Sequence, residues 1–524
     1  MEDVAWKAVA KDADVLEGKP VGVEVGEDKV LLTRIRGTVF AVGRECPHYQ
    51  EKLEKGALFG TEIECKSHFA RIDVTTGKVI SAPAMNDLPA YPVRVDNGEI
   101  YIGTVVKPKF PKPAAALGSD PRTFVIVGAG AAGNAAAETL RRQGFAGRIV
   151  MITPENERPY DRPNLSKDFM TGKAGEEWLP LRGPKFYPAQ GIELLIGKKV
   201  ASIDPAHRNV GFTDGESLAF TKLLLATGAA PRTLAAPGAD AALLLRTAED
   251  ARVLLRAASQ WKRAMIVGAG FIGLELASSL RERGLAVTVV AQESVPLSHI
   301  VGDRVGAYIK GLHEAKGVVF AMDRTVRGIE GAEGARVVTL SDGTRREADF
   351  VVAGLGVVPV VDYLEGTGIA ADGMVPVDGT MQTSVADIYA AGDIAAVLDN
   401  DNGRRRVEHW VVAERQGARA ALCMLGKDPG RQEVDVFWSK QAGVSVKYVG
   451  HAKHFDQVIY RGAVEEGAFL AGYYHQGALK AAATIGMAQE IIAVERLLRF
   501  GAAPQVAQFA DRSFDLLAAA RAVS

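Results

Sequence analysis

One unit of sequence occurs twice in this chain and constrains the fold more than any other feature. RTFVIVGAGAAGNAAAETLRRQGFAGRIVMI (residues 122–152) and KRAMIVGAGFIGLELASSLRERGLAVTVVA (residues 262–291) share one order of features. Each has an apolar strand, a GxGxxG motif, a helix, a glycine sixteen residues after the first one, and a second strand. This order is typical of a βαβ fold that binds a dinucleotide. The duplication therefore predicts two α/β dinucleotide-binding domains and two bound dinucleotides.

Six glycines of these motifs are the candidate contacts to the dinucleotides. They are Gly128, Gly130 and Gly133 in the first unit and Gly268, Gly270 and Gly273 in the second. The missing side chains permit a tight turn, close approach of the backbone to a pyrophosphate and close packing of helix on strand. A single GxGxxG also occurs in ordinary glycine turns. Here each motif follows a strand and opens a helix in a duplicated unit, which favours dinucleotide binding.

Length and composition limit the class of protein. The 524 residues are enough for several domains, and 48% apolar and 24% charged residues with a formal net charge of -1 argue against long disorder and against a nucleic-acid partner. The start, MEDVAWKAVA, lacks a basic stretch followed by an apolar run. Residues 350–361, the most apolar stretch, are too short and too interrupted by Gly and Pro to span a bilayer. We therefore expect a cytoplasmic protein with no membrane span.

The region before the first glycine motif has a different pattern. Residues 21–105 contain short alternating strands such as VGVEV, KVLLTRI and TVFAV between Gly and Asp/Asn turns, which predicts a small all-β domain. Residues 106–121 contain four prolines and three lysines, a composition that disfavours a helix or a central strand. We interpret this segment as a semi-rigid linker.

Two cysteines and two histidines of the β-domain form a candidate metal site. Cys46 and His48 lie in a CxH segment, Cys65 and His68 lie in a CxxH segment, and sixteen residues separate His48 from Cys65. This is Rieske spacing, in which two thiolates bind one iron of a 2Fe-2S cluster and two imidazoles bind the other. A structural Cys2His2 zinc site is the alternative, although zinc usually takes a different spacing.

Three further segments carry a family resemblance. LLLATG (residues 223–228) and DIYAAGD (residues 387–393) are apolar strands ending in small residues, and the second closes on Asp393, an acid suited to a ribitol hydroxyl. ERPYDRPNLSK (residues 157–167) is the most specific segment. Together with the glycine motifs, they resemble the ferredoxin-reductase branch of the two-dinucleotide flavoprotein oxidoreductases over residues 122–524.

The resemblance implies FAD at the first glycine motif and NAD(H) at the second. Besides the glycines, the expected FAD contacts are Glu155, Arg162, Ala226, Thr227, Gly228 and Asp393. Glu155 is included although the family's acidic position holds Pro154. No CxxC or CxxxxC lies near the start of this region, which excludes a disulfide-reductase mechanism.

The same resemblance assigns catalytic roles to Lys167, Glu275 and Trp410. In similar enzymes the lysine lies beside the flavin and pairs with the glutamate, so that a cation offsets the negative charge arriving with a hydride. An aromatic ring at the position of Trp410 packs against the flavin. The alternatives are two solvated helix charges for the pair and a tryptophan that only fills the core.

The coenzyme-selecting position departs from the usual pattern. An acid is expected at the end of the second strand for the adenosine ribose, but the strand runs into Ala291 and Gln292, with Glu293 following. No Lys or Arg lies between residues 286 and 299 to accept a 2'-phosphate. We therefore expect NADH, with NADPH less favoured, and take Glu293 as the candidate ribose contact.

Taken together, the two halves resemble Rieske-bearing apoptosis-inducing-factor-like oxidoreductases. The expected fold is multidomain: an all-β Rieske domain, two Rossmann-like α/β domains and an α+β interface domain. The expected segments are 1–105 (Rieske 2Fe-2S), 106–121 (linker), 122–240 and 366–430 (FAD-binding), 241–365 (NAD(P)H-binding) and 431–524 (interface).

The expected function is electron transfer from NADH through FAD and the cluster to an acceptor protein such as a terminal oxygenase. Lys66 and Phe69 replace the Pro and Gly of the family's usual second cluster loop, which leaves the ligands intact but affects the cluster's surroundings. An NADH oxidase acting on oxygen or quinone, and a redox-sensing interaction protein, are alternatives. The sequence leaves open whether the chain forms a homodimer.

Overall fold

A computed structural model describes residues 6–103, Phe110, 117–399 and 403–523. These residues group into two compact units. The first contains the described residues of 1–112, 433–438 and 447–524, and the second those of 113–432 and 439–446. The linker expected at residues 106–121 lies largely outside the described residues.

The amino-terminal part of the first unit consists of short antiparallel strands, which confirms the predicted all-β domain. Its sheets have the strand orders β2-β3-β4-β9, β5-β6-β7-β8 and β1-β11-β10. The strands are β1 Lys7–Lys11, β2 Val21–Val25, β3 Asp28–Ile35, β4 Thr38–Gly43, β5 Ala57–Phe59, β6 Glu62–Glu64, β7 Arg71–Asp73, β8 Val79–Ser81, β9 Ala90–Tyr91, β10 Val93–Asp96 and β11 Glu99–Ile102.

The second unit begins with the first predicted α/β domain. Parallel pairing of β12 with β13 and of β12 with β18 places the first glycine motif where the strand order reverses. The elements are β12 Thr123–Val127, α1 Ala131–Arg142, β13 Arg148–Thr153, α2 Asp168–Thr171, α3 Phe186–Ala189, β14 Ile192–Ile196, β15 Val200–Asp204, β16 Asn209–Phe212, β17 Ser217–Ala219, β18 Lys222–Leu225 and β19 Ala229–Pro231.

The second α/β domain repeats this arrangement. Its parallel sheet has the order β20-β27-β21-β22-β23, and the second glycine motif follows β21. The elements are β20 Ala242–Leu243, α4 Ala248–Gln260, β21 Arg263–Val267, α5 Phe271–Glu282, β22 Ala286–Val290, α6 Ser298–Ala315, β23 Val318–Ala321, β24 Val326–Glu330, β25 Arg336–Leu340, β26 Arg345–Ala348, β27 Phe350–Ala353 and β28 Val357–Pro359.

The chain then returns to the first α/β domain, whose parallel sheet is completed in the order β14-β13-β12-β18-β30. These strands are nearly all apolar, as expected for a sheet covered on both faces. The returning elements are β29 Val375–Val377, β30 Ile388–Ala390, β31 Ala395–Asp399, β32 Gly403–Arg405 and α7 Trp410–Met424.

The C-terminal domain is an antiparallel sheet in the order β33-β34-β37-β36-β35, followed by helices. Residues 439–446, at the tip of the β33–β34 hairpin, group with the second unit. The elements are β33 Val436–Gln441, β34 Val444–Gly450, β35 Gln457–Ala463, β36 Ala468–His475, β37 Ala478–Ile485, α8 Ala488–Arg499, α9 Val506–Ala510 and α10 Leu516–Ala522. In the part of the chain that the structure describes, no helix is long and apolar enough to cross a membrane.

Helix α7 packs closely on α1, and a glycine permits the contact. A Cβ added at Gly417 would lie 2.1 Å from the carbonyl oxygen of Ala132, whereas one added at Gly311 in α6 would meet nothing within 4 Å.

We expect Gly417→Ala to destabilise the protein by about 1–3 kcal/mol through overpacking. Gly311→Ala, the matched control, is expected to stabilise it by up to about 1 kcal/mol through helix propensity. Thermal unfolding of both variants tests this, and an unchanged midpoint for Gly417→Ala would contradict it.

Candidate functional site

The first glycine motif forms a turn that no larger residue fits. Gly128 has a φ of +116°, and a Cβ there would lie 2.1 Å from the carbonyl oxygen of Ala226. A Cβ at Gly133 would lie 1.9 Å from the carbonyl oxygen of Gly128. A Cβ at Gly130, by contrast, would meet nothing within 4 Å. The turn therefore opens at the N-terminus of α1, on the side where a pyrophosphate is expected.

The second glycine motif has the same geometry. Gly268 has a φ of +111°, and its Cβ would lie 2.2 Å from the carbonyl oxygen of Gly354. A Cβ at Gly273 would lie 2.2 Å from the carbonyl oxygen of Gly268, and Gly270 again faces open space. The two loops are thus equivalent in their local structure, as the sequence duplication predicts.

A network of charges joins the other residues expected to contact FAD. Glu155 accepts hydrogen bonds from the Tyr160 hydroxyl at 2.6 Å and from Nη2 of Arg162 at 2.7 Å. Arg162 also donates to the backbone carbonyl of Arg246, whose own guanidinium donates to Asp393 at 2.9 Å. Arg246, which directly precedes the capping residue of α4, was not identified from the sequence.

The strand-end residues of the ATG segment lie beside this network. Ala226 lies under Gly128, and a Cβ at Gly228 would be 3.2 Å from Nη2 of Arg246. The hydroxyl of Thr227 donates to the carbonyl of Val360 at 3.0 Å. The structure therefore brings into one region the six residues that are predicted to contact FAD in addition to the glycines of the first motif.

Lys167 and Glu275 form an ion pair across two elements of the second unit. Nζ of Lys167 lies 2.7 Å from Oε2 of Glu275, and their side chains are 17% and 3% exposed. Two solvated surface charges were the alternative interpretation, and the burial shows that it is wrong. The same oxygen accepts a hydrogen bond from the hydroxyl of Ser166 at 2.5 Å, and Oε1 accepts one from Ser439 at 2.6 Å. Ser439 lies in β33 and was not identified from the sequence.

Trp410 is the first residue of α7 and packs, half-buried, against the core of the first α/β domain. One turn later in the helix, burial raises the pKa of Glu414 well above its usual range, and the nearby Asp161 adds to this effect. A hydrogen bond with Trp410 acts in the opposite direction. This raised pKa of Glu414 was not anticipated from the sequence.

The predicted coenzyme-selecting residues lie at the end of β22. Ala291 is buried, and its carbonyl accepts a hydrogen bond from the backbone of Arg324 at 2.9 Å. The backbone carbonyl of Glu293 likewise accepts one from Asp323 at 3.2 Å. A cation outside residues 286–299, Arg324, thus lies near this position, but its side chain donates a hydrogen bond to Asp342 at 2.6 Å.

The two candidate cluster loops share one backbone pattern. In the first, the amide of Cys46 bonds to the carbonyl of Glu51 and the amide of Gln50 bonds back to Cys46. In the second loop, Cys65 bonds to Ala70 and Phe69 bonds back to Cys65. The residue four places after each cysteine is left-handed, with φ +57° at Gln50 and +62° at Phe69. Phe69 thus keeps the glycine-like backbone of the position where it replaces glycine.

The four predicted ligands meet as two pairs. The buried thiols of Cys46 and Cys65 are hydrogen-bonded to each other, an interaction that raises the pKa of Cys46 and lowers that of Cys65. Nδ1 of His48 lies 3.0 Å from Nδ1 of His68. Burial lowers the pKa of His48 to about 4, so this imidazole is neutral and able to bind a metal. A pair of thiols and a pair of imidazoles fit the two irons of a Rieske cluster.

A tryptophan of the C-terminal domain covers the histidine pair. The ring centroid of Trp438 lies 4.1 Å from that of His68 and 6.0 Å from that of His48, and the ring centroid of Tyr49 lies 4.4 Å from that of His48. Both imidazoles are only partly accessible to solvent. Glu51 lies nearby and pairs with Lys66 at 3.6 Å.

Charged residues join the β-domain to the C-terminal domain within the first unit. Arg71 contacts Glu433, and it lies 3.5 Å from Glu62. Glu62 also lies 3.7 Å from both Arg496 and Arg499 of α8. These contacts hold the β-domain that carries the cluster loops against α8.

Sequence comparison finds known families in three segments. Residues 5–92 match the Rieske [2Fe-2S] domain, residues 122–417 match the pyridine nucleotide-disulphide oxidoreductases, and residues 436–520 match the reductase C-terminal domain.

The chain is 35% identical to human apoptosis-inducing factor 3 over 489 residues, covering 90% of this chain and 80% of that protein. It is 37% identical to the ferredoxin–NAD(+) reductase component of the anthranilate 1,2-dioxygenase system of Burkholderia cepacia, covering 76% of this chain and 99% of the relative.

Solved structures show the same similarity. The structure titled as the covalent putidaredoxin reductase–putidaredoxin complex is 30% identical with a TM-score of 0.73, covering 77% of this chain and 99% of that one. A ferredoxin reductase from Rhodopseudomonas palustris is 33% identical with a TM-score of 0.73, covering 76% and 100% of the two chains.

The two left-handed positions of the cluster loops provide a matched test. Gln50 is exposed and Phe69 is fully buried. We expect Gln50→Gly to raise stability by up to about 1 kcal/mol, because removing Cβ relieves the left-handed backbone more than glycine's added entropy costs. Phe69→Gly should lower stability by about 2–4 kcal/mol, because the lost ring burial outweighs the same relief. Thermal unfolding, followed by circular dichroism and the visible absorption of the cluster, measures both; equal effects would contradict this interpretation.

Proposed function

The chain belongs to the pyridine nucleotide-disulphide oxidoreductase family, and from that membership and the Rieske domain before it we propose that it moves electrons from NADH through FAD to a 2Fe-2S cluster and on to a protein acceptor. The observation that carries the proposal is the combination, in one chain, of two dinucleotide loops, a buried Lys167–Glu275 pair, and thiol and imidazole pairs at Rieske spacing. When bound, FAD accepts a hydride and releases electrons singly, and the cluster takes one at a time.

The residues of the chain bind and orient these groups. The glycine loops leave space for the two pyrophosphates, and Lys167 places a positive charge where negative charge would develop on hydride transfer. Glu275 holds that lysine in place. Cys46 and Cys65 would bind one iron and His48 and His68 the other.

The names of the relatives indicate the class of acceptor. Several are ferredoxin–NAD(+) reductase components of dioxygenase systems, so we propose a ferredoxin or an oxygenase as the partner. A cytoplasmic location stays a prediction from the sequence, which leaves open whether the chain forms a homodimer.

Anaerobic mixing of the full-length protein with NADH tests the proposal. We expect the FAD absorbance to fall first, and the electron-paramagnetic-resonance signal of a reduced Rieske cluster to follow at a rate independent of protein concentration, since both groups belong to one chain. Cys65→Ser is the control: it should lose the cluster signal and keep flavin reduction.

Two outcomes would overturn the proposal. One is zinc in place of iron and acid-labile sulfide. The other is a cluster that stays oxidised while the flavin is reduced. Rapid oxygen consumption, unchanged in Cys65→Ser, would favour the NADH oxidase. A long-lived reduced flavin with slow turnover toward every acceptor would favour the redox-sensing function.

We propose NADH as the preferred coenzyme, with Glu293 as the ribose contact. The neighbouring cation, Arg324, is already bonded to Asp342 and so is a poor ligand for a 2'-phosphate. Glu293→Gln is therefore expected to lower kcat/KM for NADH about tenfold, because a hydrogen bond to a charged group is lost, and to affect NADPH less. Arg324→Ala, the control, should leave NADH turnover unchanged. If the parent enzyme used NADPH as well as NADH, and Arg324→Ala lost the activity with NADPH, the proposed preference for NADH would be wrong.

A further inference from the structure

Glu275 is the end of a hydrogen-bonded chain that extends away from Lys167. Its Oε1 accepts a hydrogen bond from Oγ of Ser439 at 2.6 Å, and Oγ of Ser439 in turn accepts one from Nε2 of Gln441 at 2.6 Å. Oε1 of Gln441 lies 2.9 Å from Nε2 of His313 in α6. Glu275, Ser439, Gln441 and His313 are all buried, so water does not compete for these bonds.

The chemical identity of the bonded atoms fixes the direction of every hydrogen bond in this series from His313 to Glu275. Nε2 of Gln441 also lies 3.4 Å from the backbone carbonyl of Phe271, which can only accept, so that nitrogen is assigned as the donor. Oε1 of Gln441 must then accept from Nε2 of His313. Burial lowers the pKa of His313, which leaves a neutral ring with its proton on Nε2. Every donor in the chain therefore points toward the carboxylate of Glu275.

We propose that Ser439, Gln441 and His313 are positioning residues that hold Glu275, and through it Lys167, in the geometry needed for hydride transfer. A carboxylate as buried as Glu275 is costly unless its charge is compensated and its lone pairs are satisfied. Ser166 and Lys167 satisfy one oxygen, and the chain from His313 satisfies the other. Hydrogen bonds aligned in one direction polarise and strengthen one another.

This proposal rests on the proposed function of the Lys167–Glu275 pair and adds residues of β33 and α6 to it. Ser439 and Gln441 lie in the hairpin tip that groups with the second unit. The hairpin thus supplies the hydroxyl, from Ser439, that donates a hydrogen bond to Oε1 of Glu275. Neither Ser439 nor His313 belongs to the glycine motifs or to the segments that carry the family resemblance.

Ser439→Ala in the FAD-loaded, full-length protein is the main test. We expect the limiting rate of flavin reduction by NADH to fall about tenfold, because a hydrogen bond to a charged group is lost, with little change in the Kd of NADH. Ser439→Thr should restore the rate by restoring the hydroxyl. Thr484→Val is the control, since it removes a buried hydroxyl whose acceptor, 2.5 Å away, is the backbone carbonyl of Phe469, outside the network of Glu275; its rate should change less than twofold.

Two further measurements separate positioning from a structural role. Equilibrium with redox dyes should shift the FAD midpoint potential of Ser439→Ala in the same direction as that of Lys167→Ala, and by less. Gln441→Leu and His313→Phe should have successively smaller effects on the rate of flavin reduction, because Gln441 is two hydrogen bonds and His313 three hydrogen bonds away from Glu275.

A double-mutant cycle gives the decisive outcome. If Ser439 acts through the pair, Ser439→Ala should have no further effect on flavin reduction in a Lys167→Ala background. Additive losses, or an unchanged rate in Ser439→Ala, would overturn the positioning role. If Lys167→Ala itself left reduction unchanged while the parent still reduced its cluster with NADH, the role of the pair would be wrong and the proposed electron path would stand.

Discussion

The close approach of Gly133 to the carbonyl of Gly128 determines much of the second unit. Because no side chain separates them, α1 begins directly on the end of β12, and the same contact between Gly273 and Gly268 sets α5 on β21. Glu275 is the fifth residue of α5, so this packing also sets where its carboxylate can reach. The glycines therefore do more than leave space for a phosphate, because they fix the origin of the helix that carries Glu275.

Burial gives the remaining polar groups their importance. A buried carboxylate such as that of Glu275 needs hydrogen-bond donors. These come from three separate parts of the sequence: the segment before α2, the hairpin tip and, through the hairpin, α6. The cluster loops follow the same principle with backbone amides, since each cysteine and the left-handed residue after it close one hydrogen-bonded loop. Hydrogen bonds therefore hold both sites, from several elements at Glu275 and from within each loop at the cysteines.

The sequence predicts those parts of the site that local spacing encodes. Glycine motifs and the CxH and CxxH pairs determine their own turns, so their residues could be named without a structure. Lys167 and Glu275, 108 residues apart, were paired only through a family resemblance. Ser439 lies 164 residues from Glu275 and has no local signature, and neither has Trp438 beside the imidazoles. Such contacts depend on the register of a hairpin, which spacing within one segment does not specify. Phe69 shows another limit, because a buried aromatic residue gives no indication of a left-handed backbone.

The charges shared by Glu62, Arg71, Arg496 and Arg499 limit how the gene can be divided or recombined. Glu62 and Arg71 lie in the β-domain, while Arg496 and Arg499 lie near the other end of the chain. A fragment that starts after the β-domain would lack Glu62, one of the acidic neighbours of the two arginines in α8, and would keep Glu495 of the same helix beside Arg499. A chimaera that took its amino-terminal domain from a relative would need a carboxylate at the position of Glu62. We therefore expect the β-domain and α8 to be exchanged between relatives together, and not one without the other.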